Sequence, residues 1–316
     1  MKLRIAVLQM SSRLNQFRSN VAKAHDLVSQ IPPNPLGTPQ LIVFSELALT
    51  IYNFHSRSSL LPYCEIVGKG ENFRMAQQLS IKNKSFTLLG YPEITEDSKI
   101  YNSAMLVSPL GKLVYNYRKT HLYESDENFG CSESEVGFQS FPIDFQDSAH
   151  KSAKEIIKCS IGICMDLNPY KFEAPFEKFE FATHCKENDV SLVLCPMAWL
   201  HSESPSITKQ PGDWDIEMQE VPQVVDTNGD IRGGSESSRS SIEYWWLRLS
   251  PLLALKDKLI TIVICNRSGL EDDVLYCGTS CILQLDTSKR KIHLLGSLGW
   301  KDEGLLFREV DTMLEL

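Results

Sequence analysis

The chain has 316 residues, 42% of them hydrophobic and 9% aromatic, enough to bury a large core in one big domain or two ordinary ones. A formal net charge of −8 with scattered signs provides no basic stripe able to neutralise phosphates, which argues against nucleic acid as a partner. Nine dispersed cysteines, with no CxxC pair and no histidine at ligand spacing, argue against a disulfide framework or a zinc site and for a reducing compartment.

The first residues, "MKLRIAVLQM", run straight into a strand pattern at 4–10, so no signal peptide is expected. No apolar run reaches the ~18 residues of a membrane span, so a soluble cytoplasmic protein with no membrane contact is expected. Further short apolar runs at 41–46, 86–92, 101–109, 112–119, 159–166, 190–197 and 259–266 read as strands. Between them, 16–31 and 71–83 have apolar residues at helical spacing, as 176–189 does more loosely. Such alternation predicts an α/β architecture with functional residues gathered at the carboxyl ends of buried strands. The interval from about 201 to 240 is rich in Ser, Gly, Pro and Asp and reads as a long exposed loop inside one domain.

One stretch concentrates the chemistry. In "IIKCSIGICMDLNPYKF" the strand-like "IGI" ends at Cys164, and Met165 to Pro169 mark a turn. A thiol on such a corner, faced by backbone N–H groups, sits where a thiolate or an oxyanion is stabilised. Against that, cysteine is commonly a core residue. A nucleophilic thiol needs a base and an electrophile, and none of the seven histidines falls where a strand plainly stops. Glu46 closes "LIVFSE" and Lys119 closes "LVYNYRK". Charges at the ends of buried strands are costly unless paired, and these two read equally well as a structural ion pair or as catalytic partners.

"FSELALT" around Glu46, "YRKTHLY" around Lys119 and "GICMDL" around Cys164, in that order, resemble the nitrilase, or carbon–nitrogen hydrolase, superfamily. "LVLCPMAWL", "GFQSFP" and "ICNRSGLEDD" bring the likeness nearest to the branch that removes the side-chain amide from N-terminal asparagine and glutamine of proteins. The resemblance implies a four-layer αββα sandwich formed by residues 1–316 as one domain, with the polar insertion at about 201–240. It implies catalysis by Glu46 as base, Lys119 as oxyanion partner and Cys164 as nucleophile, with Glu133 as a fourth acid and Glu127 as its alternative. Neither metal nor organic cofactor is implied. The partners it implies are N-terminal peptide segments and, downstream, an arginyltransferase and ubiquitin-ligase components of a degradation pathway.

On that reading the Met165 N–H helps hold the oxyanion. The superfamily's usual arginine after Cys-x-Asp is absent here, which leaves Asp166 available for a substrate α-ammonium or for capping the turn. Trp199 follows another strand end and either walls the pocket or packs in the core. The alternatives carried forward are a small-molecule ω-amidase or carbamoylase of the same superfamily, and a catalytically silent scaffold.

Overall fold

The computed structural model describes residues 2–31, 38–145, 156–209, 223–226 and 236–314. Its strands, in chain order, are β1 (Lys2–Gln9), β2 (Leu41–Phe44), β3 (Phe86–Ile94), β4 (Ile100–Val107), β5 (Leu113–Arg118), β6 (Ser140–Asp144), β7 (Ile156–Ile161) and β8 (Leu192–Met197). They continue with β9 (Gln223–Asp226), β10 (Leu259–Asn266), β11 (Leu270–Glu271), β12 (Val274–Leu275), β13 (Cys281–Asp286), β14 (Lys291–Ser297) and β15 (Glu303–Asp311). The described helices are α1 (Phe17–Ser29), α2 (Arg57–Leu60), α3 (Glu71–Asn83), α4 (Glu124–Asn128), α5 (Glu180–Glu187), α6 (Pro205–Thr208) and α7 (Glu236–Leu249).

Two large sheets form, in the orders β5-β4-β3-β2-β1-β15-β9 and β14-β13-β10-β8-β7-β6. The central strands β1, β2 and β3 run parallel, as do β7, β8 and β10. Period-two alternation then sorts their apolar side chains between two faces. Leu3, Ile5, Val7, Leu41 and Val43 meet Cys159, Ile161, Leu192, Leu194 and Val263 of the other sheet in one cluster between the sheets. The alternate residues face outward: Ala6, Leu8 and Phe44 pack with Ala24 and Leu27 of α1 and Met75 and Leu79 of α3. On the far side Val193, Ile262 and Ile264 pack with Phe181 of α5 and with Trp245 and Leu249 of α7. The result is the four-layer αββα sandwich that the resemblance implied.

The 201–240 interval is exposed at Ser202, Glu203, Ile207, Thr208 and Lys209, as expected of a loop, but its described chain is not all loop. It contributes α6, the edge strand β9 and the start of α7, and Ser204, Asp226 and Ser238 are buried. Its remaining residues, 210–222 and 227–235, lie outside the described residues. Among the described residues no helix is long and apolar enough to cross a membrane.

Candidate active site

β2 ends at Phe44, and the next residues leave the sheet in a tight turn that buries Glu46 completely. Leu47 takes a left-handed φ of 42°. Gly90 of β3 lies flat against this turn: a Cβ there would come within 2.8 Å of the Glu46 Cα, so a side chain is excluded. Fully buried Arg267 grips the turn from the other sheet, donating to the carbonyls of Glu46 at 3.2 Å, Leu47 at 2.7 Å and Thr50 at 3.0 Å. Its charge is met by Glu271.

Lys119 follows the last residue of β5 and is likewise buried. Its ammonium donates to Glu46 Oε1 at 2.7 Å and to Asp126 Oδ2 at 2.5 Å. Asn102 of β4 bridges the same two acids, its Nδ2 donating to Glu46 Oε1 at 2.6 Å and to Asp126 Oδ1 at 2.8 Å. An ammonium has three donors, so one remains to Lys119 beyond these two bonds. Burial alone would lower the Lys119 pKa, but Asp126 and Glu46 outweigh it and hold the lysine charged. Burial pushes the Glu46 carboxyl up, with Asp126 adding to the rise and Lys119 pulling against it. Glu46 Oε2 has no hydrogen-bond partner among the described residues. A buried carboxylate with a raised pKa and a free oxygen is suited to take a proton.

Cys164 lies just past β7, at the first residue of a 3-10 turn running to Leu167, with a left-handed φ of 44°. A non-glycine residue held in that region is strained, and such strain gathers at functional sites. Burial pushes its thiol up, Glu46 adds to the rise, and Lys119 and the Ala198 N–H pull it back. The structure therefore brings Glu46, Lys119 and Cys164 within electrostatic reach of one another. The sulfur opens on a cavity of about 370 Å³, walled by Tyr52, Tyr123, Trp199 and Tyr244 and floored by Met165, Asn168 and Ala198. Trp199 lines the cavity and also packs on Tyr244 and Trp245, with ring centroids 5.6 and 5.9 Å away. Ser202 and Ile207 reach the cavity from the 201–240 interval.

Two expectations are corrected. Asp166 does not face the cavity. Its Oδ1 accepts from the N–H groups of Thr120 (3.0 Å) and His121 (2.7 Å), and its Oδ2 from the Ile163 N–H (2.7 Å) and the Tyr117 hydroxyl (2.9 Å). With both oxygens already bonded it caps the turn at Cys164, the other role open to it, fastens that turn to the segment after Lys119, and is not placed to meet an ammonium. Because both oxygens accept an N–H, either orientation of an amide would set donor against donor. Asp166→Asn is therefore expected to destabilise the fold by about 2–4 kcal/mol, read by urea or thermal unfolding, with no change in preference between free and blocked amino ends.

Glu133 is the second correction. It stands exposed and accepts a hydrogen bond from the Tyr170 hydroxyl at 2.8 Å, while exposed Glu127 pairs with Lys171 at 3.5 Å. The acid that touches the lysine is Asp126 in α4, which sequence reasoning passed over, as it did Asn102. Asp126 sits in the acidic run "ESDEN", and α4 turns it inward while Glu124 and Glu127 face solvent.

Known proteins resemble this chain in sequence and in fold. The Saccharomyces cerevisiae protein N-terminal amidase is 34% identical over 297 residues, covering 81% of this chain, which spans 65% of that relative's length. The Schizosaccharomyces pombe protein N-terminal amidase is 28% identical over 98% of this chain and 100% of its own. The solved structure of an N-terminal amidase with an Asn-Glu-Ala peptide superposes with a TM-score of 0.87 at 28% identity, covering 100% of this chain and 99% of that one. Residues 4–168, the stretch that supplies the buried acid, the lysine and the cysteine at its strand ends, match the carbon–nitrogen hydrolase family, to which this chain belongs.

Proposed function

We propose that this chain is an amidohydrolase that converts N-terminal asparagine and glutamine of polypeptides to aspartate and glutamate, releasing ammonia. The observation that carries the reading is the convergence of Glu46, Lys119 and Cys164 beside one aromatic-walled cavity. Likeness to the two yeast N-terminal amidases, and to solved amidase structures holding Asn-Glu-Ala and Gln-Val peptides, supports the substrate class.

In this reading Glu46 Oε2 takes the Cys164 proton as the thiolate attacks the carboxamide carbon. The negative charge passes from carboxylate to sulfur and then to the tetrahedral oxygen, so the cluster's net charge never changes. Lys119 keeps Asp126 as a partner throughout, and its remaining donor, with the Met165 N–H, serves the oxyanion. Protonated Glu46 then gives its proton to departing ammonia, leaving a thioester. Water, activated again by Glu46, hydrolyses the thioester and restores the thiol. No step calls for a metal or a cofactor. The acidic N-termini produced are substrates for an arginyltransferase, which would hand them to ubiquitin-ligase components of a degradation pathway. A cytoplasmic setting suits the nine unpaired thiols.

No carboxylate among the described residues lines the cavity, so the substrate's α-ammonium is read as meeting the aromatic faces of Trp199 and Tyr244 and the Asn168 side-chain oxygen. Asn168 Oδ1 already accepts from the Tyr244 hydroxyl at 2.7 Å and keeps a second lone pair. Ammonia release from Asn- and Gln-initiated peptides and from their N-acetylated twins tests this. The free peptides should turn over, and acetylation should lower kcat/KM at least about tenfold through the lost cation contact. Equal rates on the pairs, or turnover confined to free dicarboxylic-acid monoamides, would replace the peptide amidase with a small-molecule hydrolase. A protein with no amidase activity on any of them would be a scaffold.

A further inference from the structure

The lining of the cavity beside Cys164 changes from closed to open along its length. Tyr52, Met165 and Ala198 line it and are each no more than 3% exposed, whereas Phe172 and Ile207 line it at 61% and 52% exposure and so stand at its mouth. A polypeptide substrate must bring the carboxamide carbon of its first residue to the Cys164 sulfur and lead the rest of its chain out through that mouth. The second Cα follows the first by about 3.8 Å, so the second residue's side chain is the one that reaches the lip.

Both lip residues are held in place. Phe172 ends a short 3-10 turn, Tyr170–Phe172, in which Lys171 and Phe172 have left-handed φ values of 53° and 57°. The Phe172 N–H donates to the Pro169 carbonyl at 2.9 Å. On one flank the Tyr170 hydroxyl donates to Glu133 at 2.8 Å, and on the other buried Arg248 donates to the Phe176 carbonyl at 2.5 Å. The Phe172 ring meets Tyr123 edge-on, with centroids 6.4 Å apart. Ile207 sits on α6, which the Ser206 N–H ties to the Asp273 carbonyl at 2.8 Å and the Leu275 N–H to Ser204 Oγ at 2.9 Å. A left-handed φ is disfavoured for an aromatic residue, and a ring this exposed recovers little burial to offset it, so the stability of the free protein does not account for Phe172.

We propose that Phe172, with Ile207, forms the subsite for the side chain of the substrate's second residue and makes the enzyme favour an apolar side chain there. The inference rests on the peptide-amidase reading of this site and adds a specificity to it. The contact lies away from the reacting carbon and is the same in ground and transition states, so its effect belongs in KM and not in kcat.

The experiment compares ammonia release from peptides beginning Asn-Leu and Asn-Gly that are otherwise identical. The unaltered enzyme should favour Asn-Leu about fivefold to thirtyfold in kcat/KM, the range for a partly buried leucine side chain, with similar kcat. Phe172→Ala should collapse that ratio to within about twofold, and Ile207→Ala should lower it partway. Leu110→Ala, which trims an apolar side chain 78% exposed and outside the cavity lining, should leave the ratio at its parental value. If Phe172→Ala does not fold, Phe172→Gly removes the ring while accepting the left-handed φ freely, and carries the same expectation. Equal kcat/KM on the two peptides in the unaltered enzyme would overturn the proposal. So would a parental ratio in a folded Phe172 variant, or the same collapse in Leu110→Ala. A preference carried wholly in kcat would overturn it as well, because it would place the second residue's effect on the chemical step. Failure to turn over any Asn-initiated peptide would instead strike the peptide-amidase reading, and this inference with it.

Discussion

Cys164→Ser is expected to lower kcat for peptide deamidation by at least about a thousandfold while leaving the melting temperature nearly unchanged. Burial raises the Glu46 carboxyl, and Lys119 pulls the Cys164 thiol back from the rise that burial gives it, whereas a serine hydroxyl is a far weaker acid than a thiol in the same place. Transfer from serine would therefore be uphill by many units, and the neutral hydroxyl is a poor nucleophile. The substitution preserves shape, and the left-handed φ of 44° burdens either residue alike. Cys159, five residues earlier, offers the control. Its side chain points between the sheets and is wholly buried with Ile161 and Leu192, so Cys159→Ser should cost stability and leave the turnover of folded protein largely intact. Ammonia release and thermal unfolding measured on both variants separate the two residues. Equal losses of turnover in folded protein would remove Cys164 as nucleophile.

The contrast between these cysteines was partly legible in the sequence. "IGI" before Cys164 and the acid, amide and proline after it mark a strand ending, and Glu46 and Lys119 likewise close apolar runs. A charge at the end of a buried strand stands out because period-two patterning leaves it no solvent-facing excuse. Asp126 had no such signal. It lies among Ser125, Glu124 and Glu127, which read as a solvated run, and only the way α4 packs selects it for burial. Asp166 misled in the opposite direction. An acid beside the nucleophile without its usual arginine looks unpartnered, yet its partners are backbone N–H groups of Thr120 and His121, which side-chain patterns do not record.

The fold was hidden for related reasons near the C-terminus. β15 sits between β1 and the edge strand β9 as a paired internal strand, but the charges Glu303 and Arg308 break its apolar pattern. Each charge is answered from afar, Glu303 by Lys23 at 2.8 Å and Arg308 by Asp226 at 3.0 Å. α7 begins "ESSRSS", a stretch that reads as loop, before its second half buries Trp245 and Leu249. The same polar composition makes the 201–240 interval read as exposed chain, although Ser202 and Ile207 from it reach the cavity beside Cys164.

Lys119→Arg should lower kcat by about a hundredfold to a thousandfold, even though it keeps the charge. The native ammonium is a compact donor fitted between Glu46 Oε1 at 2.7 Å and Asp126 Oδ2 at 2.5 Å in a site with no exposure. A guanidinium is wider and planar, and its donors diverge in one plane. To pair with both carboxylates it must spread them, and Asn102, which bridges the same two acids through one Nδ2, cannot follow. Either Glu46 loses its aim at the sulfur or the third donor is turned away from the oxyanion. Two buried acids still face a cation, so the fold should survive better than in Lys119→Met, where they would repel each other unscreened and destabilise the protein by about 3–5 kcal/mol. Single-turnover kinetics on an Asn-initiated peptide, with thermal unfolding of both variants, test the argument. Near-parental kcat in a folded Lys119→Arg enzyme would reduce Lys119 to a structural counter-ion and leave the oxyanion to backbone N–H groups alone.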